Sequence, residues 1–365
     1  MNPEQDPSAL AAAQPSAPTQ SAGIPAKARK AWRPWATALA YAGVAALAYR
    51  SIDHASFLAG ISRLRISHVF LLVGVALLHI AGRAVRFDRL MRRAGANESY
   101  HFAAGIRIFL VGLSASAVTP GRAGDLIKAQ LVRPYGVALN RGVGLVLVER
   151  VLDLLVICTS IVVSGAVLSR RASSDTWRAV ALAFLLGLIV LVVVLAVPAI
   201  RTVLLRLAAR IIKLFVRSLD EQRILQHLNE IFVVWDDVFH SFPRLLAQLA
   251  GSMCAWCIEF MKLWLVLGLL GASIDPVLAL FVYPISIVAG ILTLLPISEA
   301  VVGVTGAMLL HALGGVDTSV AAIAIVVDRA TSVLTPLGLW ALFALTGSGA
   351  SPVAAVEPSS TSQRP

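Results

Sequence analysis

Apolar residues run along this chain in continuous blocks that are long enough to cross a bilayer. A transmembrane helix needs about 20 consecutive, mostly apolar residues. The blocks near this length predict six full transmembrane helices, at residues 34–50, 67–85, 142–168, 178–198, 245–271 and 319–346. Because the apolar runs are continuous rather than alternating, the pattern disfavours a β-barrel and predicts an all-α polytopic membrane protein.

Two further apolar regions are broken by proline. Residues 103–133 are interrupted at Pro120-Gly121, and residues 276–312 at Pro296. Proline removes an amide donor and clashes with the preceding turn, so each region is expected to split into two half-helices. Irregular backbone at membrane depth persists only inside protein or beside a wet cavity. We therefore predict two re-entrant helical hairpins in an inverted-repeat arrangement, with two independent proline-kinked helices as the alternative.

The remaining segments differ in composition from these blocks. Residues 1–30 and 347–365 are poor in large apolar side chains and are predicted to be disordered tails, the first of them cytoplasmic. Residues 31–346 then form the transmembrane domain. Within it, residues 200–243 alternate basic and apolar side chains at helical spacing, which is typical of a cytoplasmic amphipathic helical segment. This segment serves either as a simple connector or as a surface for a partner.

The overall charge fits a membrane protein better than a nucleic-acid-binding one. Of the 365 residues, 58% are hydrophobic and 14% charged, and the net charge is +11; soluble domains carry about 25% charged residues. The arginines cluster beside apolar spans, as expected from the positive-inside rule and from attraction to anionic headgroups. Without a soluble basic domain, nucleic acid is not a predicted partner.

Basic residues also set the expected orientation. One cluster precedes the first apolar block: Lys27, Arg29, Lys30 and Arg33. It lies too far into the chain for a cleavable signal peptide and indicates a cytoplasmic N-terminus. A second cluster begins within the last residues of the second span and is predicted to lie on the same side: Arg83, Arg86, Arg89, Arg92 and Arg93.

Ionisable residues also occur inside the apolar segments, in two similar sets. They are Arg122, Asp125, Glu149, Arg150 and Asp153 in the first half of the chain, and Glu299, Asp328 and Arg329 in the second. Each charge costs about 3 kcal/mol near the bilayer centre, and all eight would cost on the order of 20 kcal/mol if unpaired. These residues must therefore face one another, water or a polar ligand.

The segment after Pro120 has the features of an anion site. A half-helix that begins there presents free amides and a positive dipole end, and its glycines allow a close backbone approach. A guanidinium group adds a fork suited to phosphate. The predicted headgroup site comprises Pro120, Gly121, Arg122, Gly124, Asp125 and Lys128. A purely structural pair between Arg122 and Asp125 is an equally open interpretation.

The other charged residues are predicted to form a network. Glu149 and Asp153 share a helix face and need a cation between them, either Arg122, Arg329 or a bound proton. Arg150 is expected to point to the side. Because Asp328-Arg329 mirrors Glu149-Arg150, we predict cross-pairing between the two helices, with Glu299 as a further member. Glu259 and Lys262 are expected to pair with each other.

No pattern for a catalytic triad, a nucleotide loop or a zinc site is present, so we predict no metal and no cofactor. The three cysteines lie in apolar stretches. They are interpreted as small packing residues between helices: Cys158, Cys254 and Cys257.

Two of these motifs carry a family resemblance. Residues 120–128, Pro-Gly-Arg-Ala-Gly-Asp-Leu-Ile-Lys, and the later Glu149-Arg150-x-x-Asp153 resemble the signature of the flippase-like membrane domain of lysylphosphatidylglycerol synthases, over about residues 35–345. That domain also occurs alone, in UPF0104-type proteins. In the second half, residues 295–298 match, but Glu299-Ala300-Val301 replaces the usual Gly-rich turn and Gly306 stands near the usual Glu.

The resemblance implies a lipid translocase of the bacterial cytoplasmic (inner) membrane that moves a lipid with an anionic or polar headgroup between leaflets. It does not imply lysyl transfer, which the synthases carry out in a separate soluble domain. Membrane lipids are the expected partners, together with a lipid-modifying synthase or a second copy of the chain. The alternatives are an embedded enzyme of headgroup or lipid-linked sugar transfer, and a non-catalytic subunit of such a system.

Overall fold

The computed structural model describes residues 54–172, 175–215, 221–239, 241–293 and 298–345. Within these ranges the chain forms α-helices and short 3-10 helices, with no β-strand, so the all-α prediction is confirmed there. The predicted span at 34–50 and the two predicted tails lie outside the described residues. In chain order, the α-helices are α1 His54–Ser62, α2 Ile66–Arg93, α3 Phe102–Val118, α4 Ile127–Leu131, α5 Leu139–Ala172, α6 Asp175–Ala196, α7 Pro198–Phe215, α8 Glu221–Phe239, α9 Phe242–Leu269, α10 Pro276–Leu292, α11 Ser298–Gly314 and α12 Thr318–Leu345, and the 3-10 helices are Pro120–Leu126 and Arg133–Tyr135.

Five of these helices, α2, α5, α6, α9 and α12, are long and apolar enough to cross a membrane. They coincide with the five predicted spans that fall in the described part of the chain. Helices α3, α10 and α11 are apolar but shorter, and they occupy the two regions that proline was predicted to break. The predicted pattern of long and interrupted apolar segments is therefore reproduced.

The first broken region turns back on itself immediately after Thr119. That residue is extended (φ −109°, ψ 143°) and ends α3. Its Oγ1 donates a hydrogen bond to the Ala115 carbonyl oxygen at 2.9 Å and accepts one from the Gly124 amide at 2.7 Å. A Cβ atom on Gly124 would lie 2.6 Å from the Ser116 nitrogen and would overlap the Ala115 carbonyl. Glycine at 124 therefore allows the returning 3-10 helix to lie against the backbone of α3.

The beginning and end of this region lie next to each other. The Asn97 amide donates to the Tyr135 carbonyl oxygen at 2.9 Å, and the rings of Tyr100 and Tyr135 meet edge to face at 5.6 Å. In the second region, a Cβ on Gly314, the last residue of α11, would lie 3.2 Å from the Leu278 side chain near the start of α10. The two ends of each broken region thus lie close together. The predicted second break at Pro296 lies outside the described residues.

The helices pack in a repeated pattern. The order of a long helix, a broken region and a second long helix occurs as α2–α3–α4–α5 and again as α9–α10–α11–α12. Helices α2 and α9 have 28 residues each, and α3 and α10 have 17 each. Helix α2 packs on α9, while α5 packs on α10 and α12 packs on α3. The long closing helix of each half therefore contacts the broken region of the other half.

Helices α7 and α8 fall within the predicted amphipathic segment and link α6 to α9. Helix α8 buries Val234, Trp235 and Val238 in the same apolar core as Phe87 of α2. It also lies close to α5, because a Cβ atom on Gly144 would overlap the carbonyl oxygen of Ile231. Helix α8 is therefore part of this apolar core, whereas the buried Leu205 and Ala209 of α7 do not belong to it.

We expect Gly124→Ala to destabilise the protein by about 1–3 kcal/mol, because the added methyl group overlaps α3 backbone that cannot move away easily. The measurement is the thermal unfolding midpoint in detergent. Gly187→Ala in α6 is the matched control, since nothing lies within 4 Å of its Cβ position. Equal unfolding midpoints for the two variants would contradict the proposed close approach.

Candidate functional site

Seven ionisable side chains from three parts of the fold form one group, which we call the first charge cluster. Its members are Arg83 and Arg86 on α2, Asp125 and Lys128 on the returning segment (residues 120–131, the first 3-10 helix and α4), and Glu149, Arg150 and Asp153 on α5. Every side chain in it except Arg150 is buried. A group of this size inside an apolar bundle depends on internal pairing.

Arg86 lies between the two acids of α5. Its Nη1 is 2.6 Å from Asp153 Oδ1 and its Nη2 is 3.3 Å from Glu149 Oε1. Arg83 donates to the other oxygen of Asp153 at 3.0 Å. Trp256 Nε1 of α9 also donates to Asp153, at 2.9 Å. The two carboxylates thus share guanidinium donors, which cancels their mutual repulsion and fixes α2 against α5.

Lys128 attaches the returning segment to the same cluster. Its Nζ lies 2.9 Å from Glu149 Oε2 and 3.2 Å from Asp125 Oδ1, and 4.7 Å from the ring centroid of Phe109. The aliphatic stem occupies space left by Gly112, where a Cβ atom would lie 2.9 Å from Lys128 Cδ. Arg150 forms an ion pair with Asp125 from the cavity side.

Five ionisable residues of the second half form a second charge cluster: Glu259 and Lys262 on α9, Glu299 on α11, and Asp328 and Arg329 on α12. Lys262 Nζ lies 3.1 Å from both Glu259 oxygens and 3.4 Å from Asp328 Oδ1. Arg329 contacts Asp328 at 2.7 Å, Glu259 at 3.3 Å and Glu299 at 3.7 Å.

Two hydroxyl groups complete the second cluster. Tyr283 of α10 donates to Glu259 Oε1 at 2.8 Å, and Ser332 donates to the same oxygen at 2.7 Å. The guanidinium of Arg329 also lies 4.7 Å from the Tyr283 ring centroid. Glu259 is therefore surrounded by donors, in the way that Asp153 is in the first cluster.

A cavity of about 60 Å³ separates the two clusters. Arg83 and Arg150 line it from the first cluster, and Glu259, Glu299 and Arg329 line it from the second. One water molecule needs about 10–15 Å³ of such space, so the cavity has room for several waters. Three arginine residues, from α2, α5 and α12, thus line one cavity within an apolar bundle.

The two clusters occupy matching positions in the two halves of the chain. Arg83 and Arg86 follow the first residue of α2 by 17 and 20 positions, and Glu259 and Lys262 follow that of α9 by the same intervals. Glu149 and Asp328 each come ten positions after the first residue of α5 and α12. In both closing helices a fully buried acid precedes an arginine that lines the cavity.

Several predicted site residues come together here. Asp125, Lys128, Glu149, Arg150 and Asp153 meet in the first cluster, and Glu299, Asp328 and Arg329 in the second. For Pro120, Gly121 and Arg122 only the backbone is described, in the 3-10 helix that also contains Gly124. The side chain of Arg122 lies outside the described part of the structure.

Some predicted pairings are wrong. The acids of α5 do not pair with α12: Glu149 and Asp153 pair with arginines of α2, and Glu149 also with Lys128. Asp328 of α12 likewise does not pair with α5 but with Lys262 and Arg329. Asp125 pairs with Lys128 and Arg150, so Arg150 does not simply point to the side. The acids of α5 thus pair with α2 and the acid of α12 with α9, the first long helix of the same half in each case. The predicted pair of Glu259 and Lys262 is present, but within the larger cluster.

The main site residues missed from the sequence are Arg83 and Arg86. They were assigned to the cytoplasmic side, at the end of a span predicted to finish at residue 85. Helix α2 instead continues to Arg93 and buries both residues, at 4% and 2% exposure. A signal was present: at helical spacing they share a face with the apolar Ile80, Phe87 and Leu90, which are buried as well. Trp256 of α9 is a further site residue that the sequence analysis did not identify, as a hydrogen-bond donor to Asp153.

Other candidate chemistry is sparse. Among the described side chains, no three His, Cys, Asp or Glu residues are placed to hold a metal ion. Cys158 is buried as expected, whereas Cys254 is exposed on α9 and does not pack between helices. The buried His79 lines the cavity and bonds through Nδ1 to the Ala255 carbonyl oxygen at 2.8 Å.

Apolar helices of bilayer length around a buried ionic network define a multi-pass helical membrane protein. Residues 35–339 match the sequence profile of the family described as the lysylphosphatidylglycerol synthase TM region. The chain belongs to this family, as its two motifs predicted. A search of curated proteins gives no match.

Arg86→Leu is expected to lower the stability by about 3–5 kcal/mol, because it leaves Glu149 and Asp153 with too few buried donors. Arg92→Leu is the matched control, because Arg92 lies on the same helix but is exposed. It pairs with Asp88 near the surface, where such a pair contributes about 1 kcal/mol or less, and its guanidinium lies 5.7 Å from the Tyr100 ring centroid. Thermal unfolding of both variants in one detergent measures the difference. A stable Arg86→Leu protein would show that the network does not depend on this guanidinium.

Proposed function

We propose that the chain is a lipid translocase that moves a lipid with an anionic or polar headgroup between leaflets of the bacterial cytoplasmic membrane. The observation that carries this proposal is the convergence of Arg83, Arg150 and Arg329 on one cavity within the apolar bundle. Arginine presents a planar fork of donors that matches a phosphate group. A passive anchor would gain nothing from three such groups around one cavity at membrane depth.

The proposed route passes the headgroup through this cavity while the acyl or prenyl chains stay in lipid. At about 60 Å³ the cavity holds only water, so passage requires the two halves to separate on one side at a time. Arg150 and Arg329 are suited to change partners, because they are the most exposed basic side chains of their clusters, at 28% and 13%. A phosphate can replace a carboxylate as partner, which offsets the cost of breaking an ion pair.

The residues proposed to receive the headgroup are those of the returning segment. Arg122 is proposed to bind the anionic group, assisted by the backbone of Pro120, Gly121 and Gly124. Asp125 and Lys128 are proposed to position this segment. The remaining network residues, Glu149, Arg150, Asp153, Glu299, Asp328 and Arg329, are proposed to exchange partners between inward- and outward-facing states.

The two broken regions are proposed to be re-entrant hairpins in an inverted repeat within a transmembrane domain of residues 31–346. The contact of Asn97 with Tyr135 supports a first hairpin that enters and leaves on one side. Its exit leads into α5, whose Arg171 at the far end pairs with Asp275 at the start of the second region. Because α5 crosses the bilayer between them, the hairpins would enter from opposite sides.

The topology is proposed to have six full spans, including residues 34–50, with a cytoplasmic N-terminus. The basic helix α7 would then lie on the cytoplasmic side, in agreement with the positive-inside rule. A lipid-modifying synthase or a second copy of the chain is proposed as partner, in addition to membrane lipids.

In liposomes containing the purified protein, headgroup-labelled anionic lipids should exchange between leaflets, and Arg150→Gln or Arg329→Gln should slow the exchange at least about tenfold, since each removes a charged donor from the cavity. Arg122→Ala tests the proposed headgroup ligand in the same assay. Arg92→Gln, at the exposed end of α2, serves as the control and should leave the rate unchanged.

Two results would contradict the proposal. One is the absence of exchange for anionic and zwitterionic lipids alike from a well-folded sample, and the other is full exchange by both cavity variants.

Mass spectrometry of lipids from a deletion strain separates the competing functions. A changed lipid composition would favour an embedded transferase, whereas a changed leaflet distribution supports a translocase.

A further inference from the structure

Helix α7 has an apolar face that is not covered by the protein. Leu205 and Ala209 are buried on the side that faces α8. Four large apolar side chains on the remaining surface are between 43% and 62% exposed: Val203, Leu204, Leu207 and Ile211. At helical spacing these four positions fall within one stripe, so the exposure belongs to one face of the helix.

A basic face runs beside this apolar stripe. Arg206, Arg210 and Lys213 recur at intervals of four and three residues and are all exposed. No ion pair is described for Arg206 or Arg210. In contrast, Arg201 lies on the side towards α8, where it pairs with Asp236 and its guanidinium lies 5.3 Å from the Phe232 ring centroid. The surface of α7 away from α8 therefore combines apolar groups with a row of cations.

The place of α7 in the chain puts this surface at one side of the bilayer. The membrane-length helix α6 ends at Ala196, Val197 interrupts the helix, and α7 begins at Pro198. The next membrane-length helix, α9, begins at Phe242. Helix α7 has only 18 residues, four of them basic, so it suits the interface between water and hydrocarbon better than the hydrocarbon itself.

We infer that α7 lies in the plane of the membrane surface and binds anionic lipid headgroups. Val203, Leu204, Leu207 and Ile211 enter the acyl boundary, while Arg206, Arg210 and Lys213 contact the headgroups. This site is separate from the cavity and takes lipid as a surrounding ligand, not as transported cargo. It does not depend on the proposed translocation.

Helix α7 is connected to the first charge cluster through α8. Helix α8 is held in the core by the buried Trp235, and its Asp237 lies 3.4 Å from Arg93 at the end of α2. Asn140, near the start of α5, donates to Glu230 of α8 at 2.6 Å. The two helices that carry Arg86 and Glu149 are thus both attached to α8, which packs directly on α7.

The test uses the full chain in vesicles of phosphatidylcholine with an increasing fraction of phosphatidylglycerol. After replacement of Cys158, Cys254 and Cys257 by alanine, an environment-sensitive fluorophore is attached through Leu207→Cys. We expect its emission to shift to the blue, and quenching by brominated lipid to increase, as the anionic fraction rises. Arg206→Gln with Arg210→Gln should reduce this dependence roughly threefold or more, whereas the two Arg→Lys substitutions should retain it.

The label at Thr202→Cys is the matched control, because Thr202 is exposed on the other side of the same helix and should respond little. Emission that is independent of the anionic fraction would overturn the inference, and so would equal responses at the two positions. A blue shift in detergent that grows with protein concentration would also overturn it, because a second copy would then cover the face. None of these readouts requires lipid exchange, so the inference and the translocase proposal can fail separately.

Discussion

A charge inside a lipid-embedded bundle needs an opposite charge within reach, and this requirement governs the arrangement of the whole protein. Arg86 meets it for two acids at once, by lying between Glu149 and Asp153. That contact links α2 to α5. Lys128 then fixes the returning segment to Glu149, so three separate parts of the chain are held by one set of ion pairs.

Neither cluster contains equal numbers of positively and negatively charged side chains. Among the described side chains, the first has four cations and three acids, and the second has two cations and three acids. Their opposite formal charges face each other across the cavity, where the low dielectric of the surrounding bundle strengthens the attraction. This attraction stabilises the observed arrangement of the two halves, and in the proposed translocase a charged headgroup would compete with the ion pairs already formed.

The general organisation could be predicted because it depends on local chemistry. Continuous apolar runs specify helices of membrane length, and a proline followed by glycine interrupts them, as at Pro120-Gly121. The ionisable residues inside the apolar segments were also recognisable, because a charge surrounded by apolar residues is unfavourable in a bilayer unless it is paired. Glu149 and Asp153, four residues apart, had to share a face, and they do so around Arg86.

The identity of the partners could not be predicted in the same way. Spacing along α5 determines which side chains share a face, but not which neighbouring helix that face contacts. Arg83 and Arg86 were therefore assigned to a solvated flank, although tertiary packing buries them. The sequence by itself determined the class of protein, the helices and the presence of two ionic sets, because these depend on apolar content and helical period. Only the tertiary structure decided how the ions pair and that a cavity separates them, because both depend on which helix faces meet.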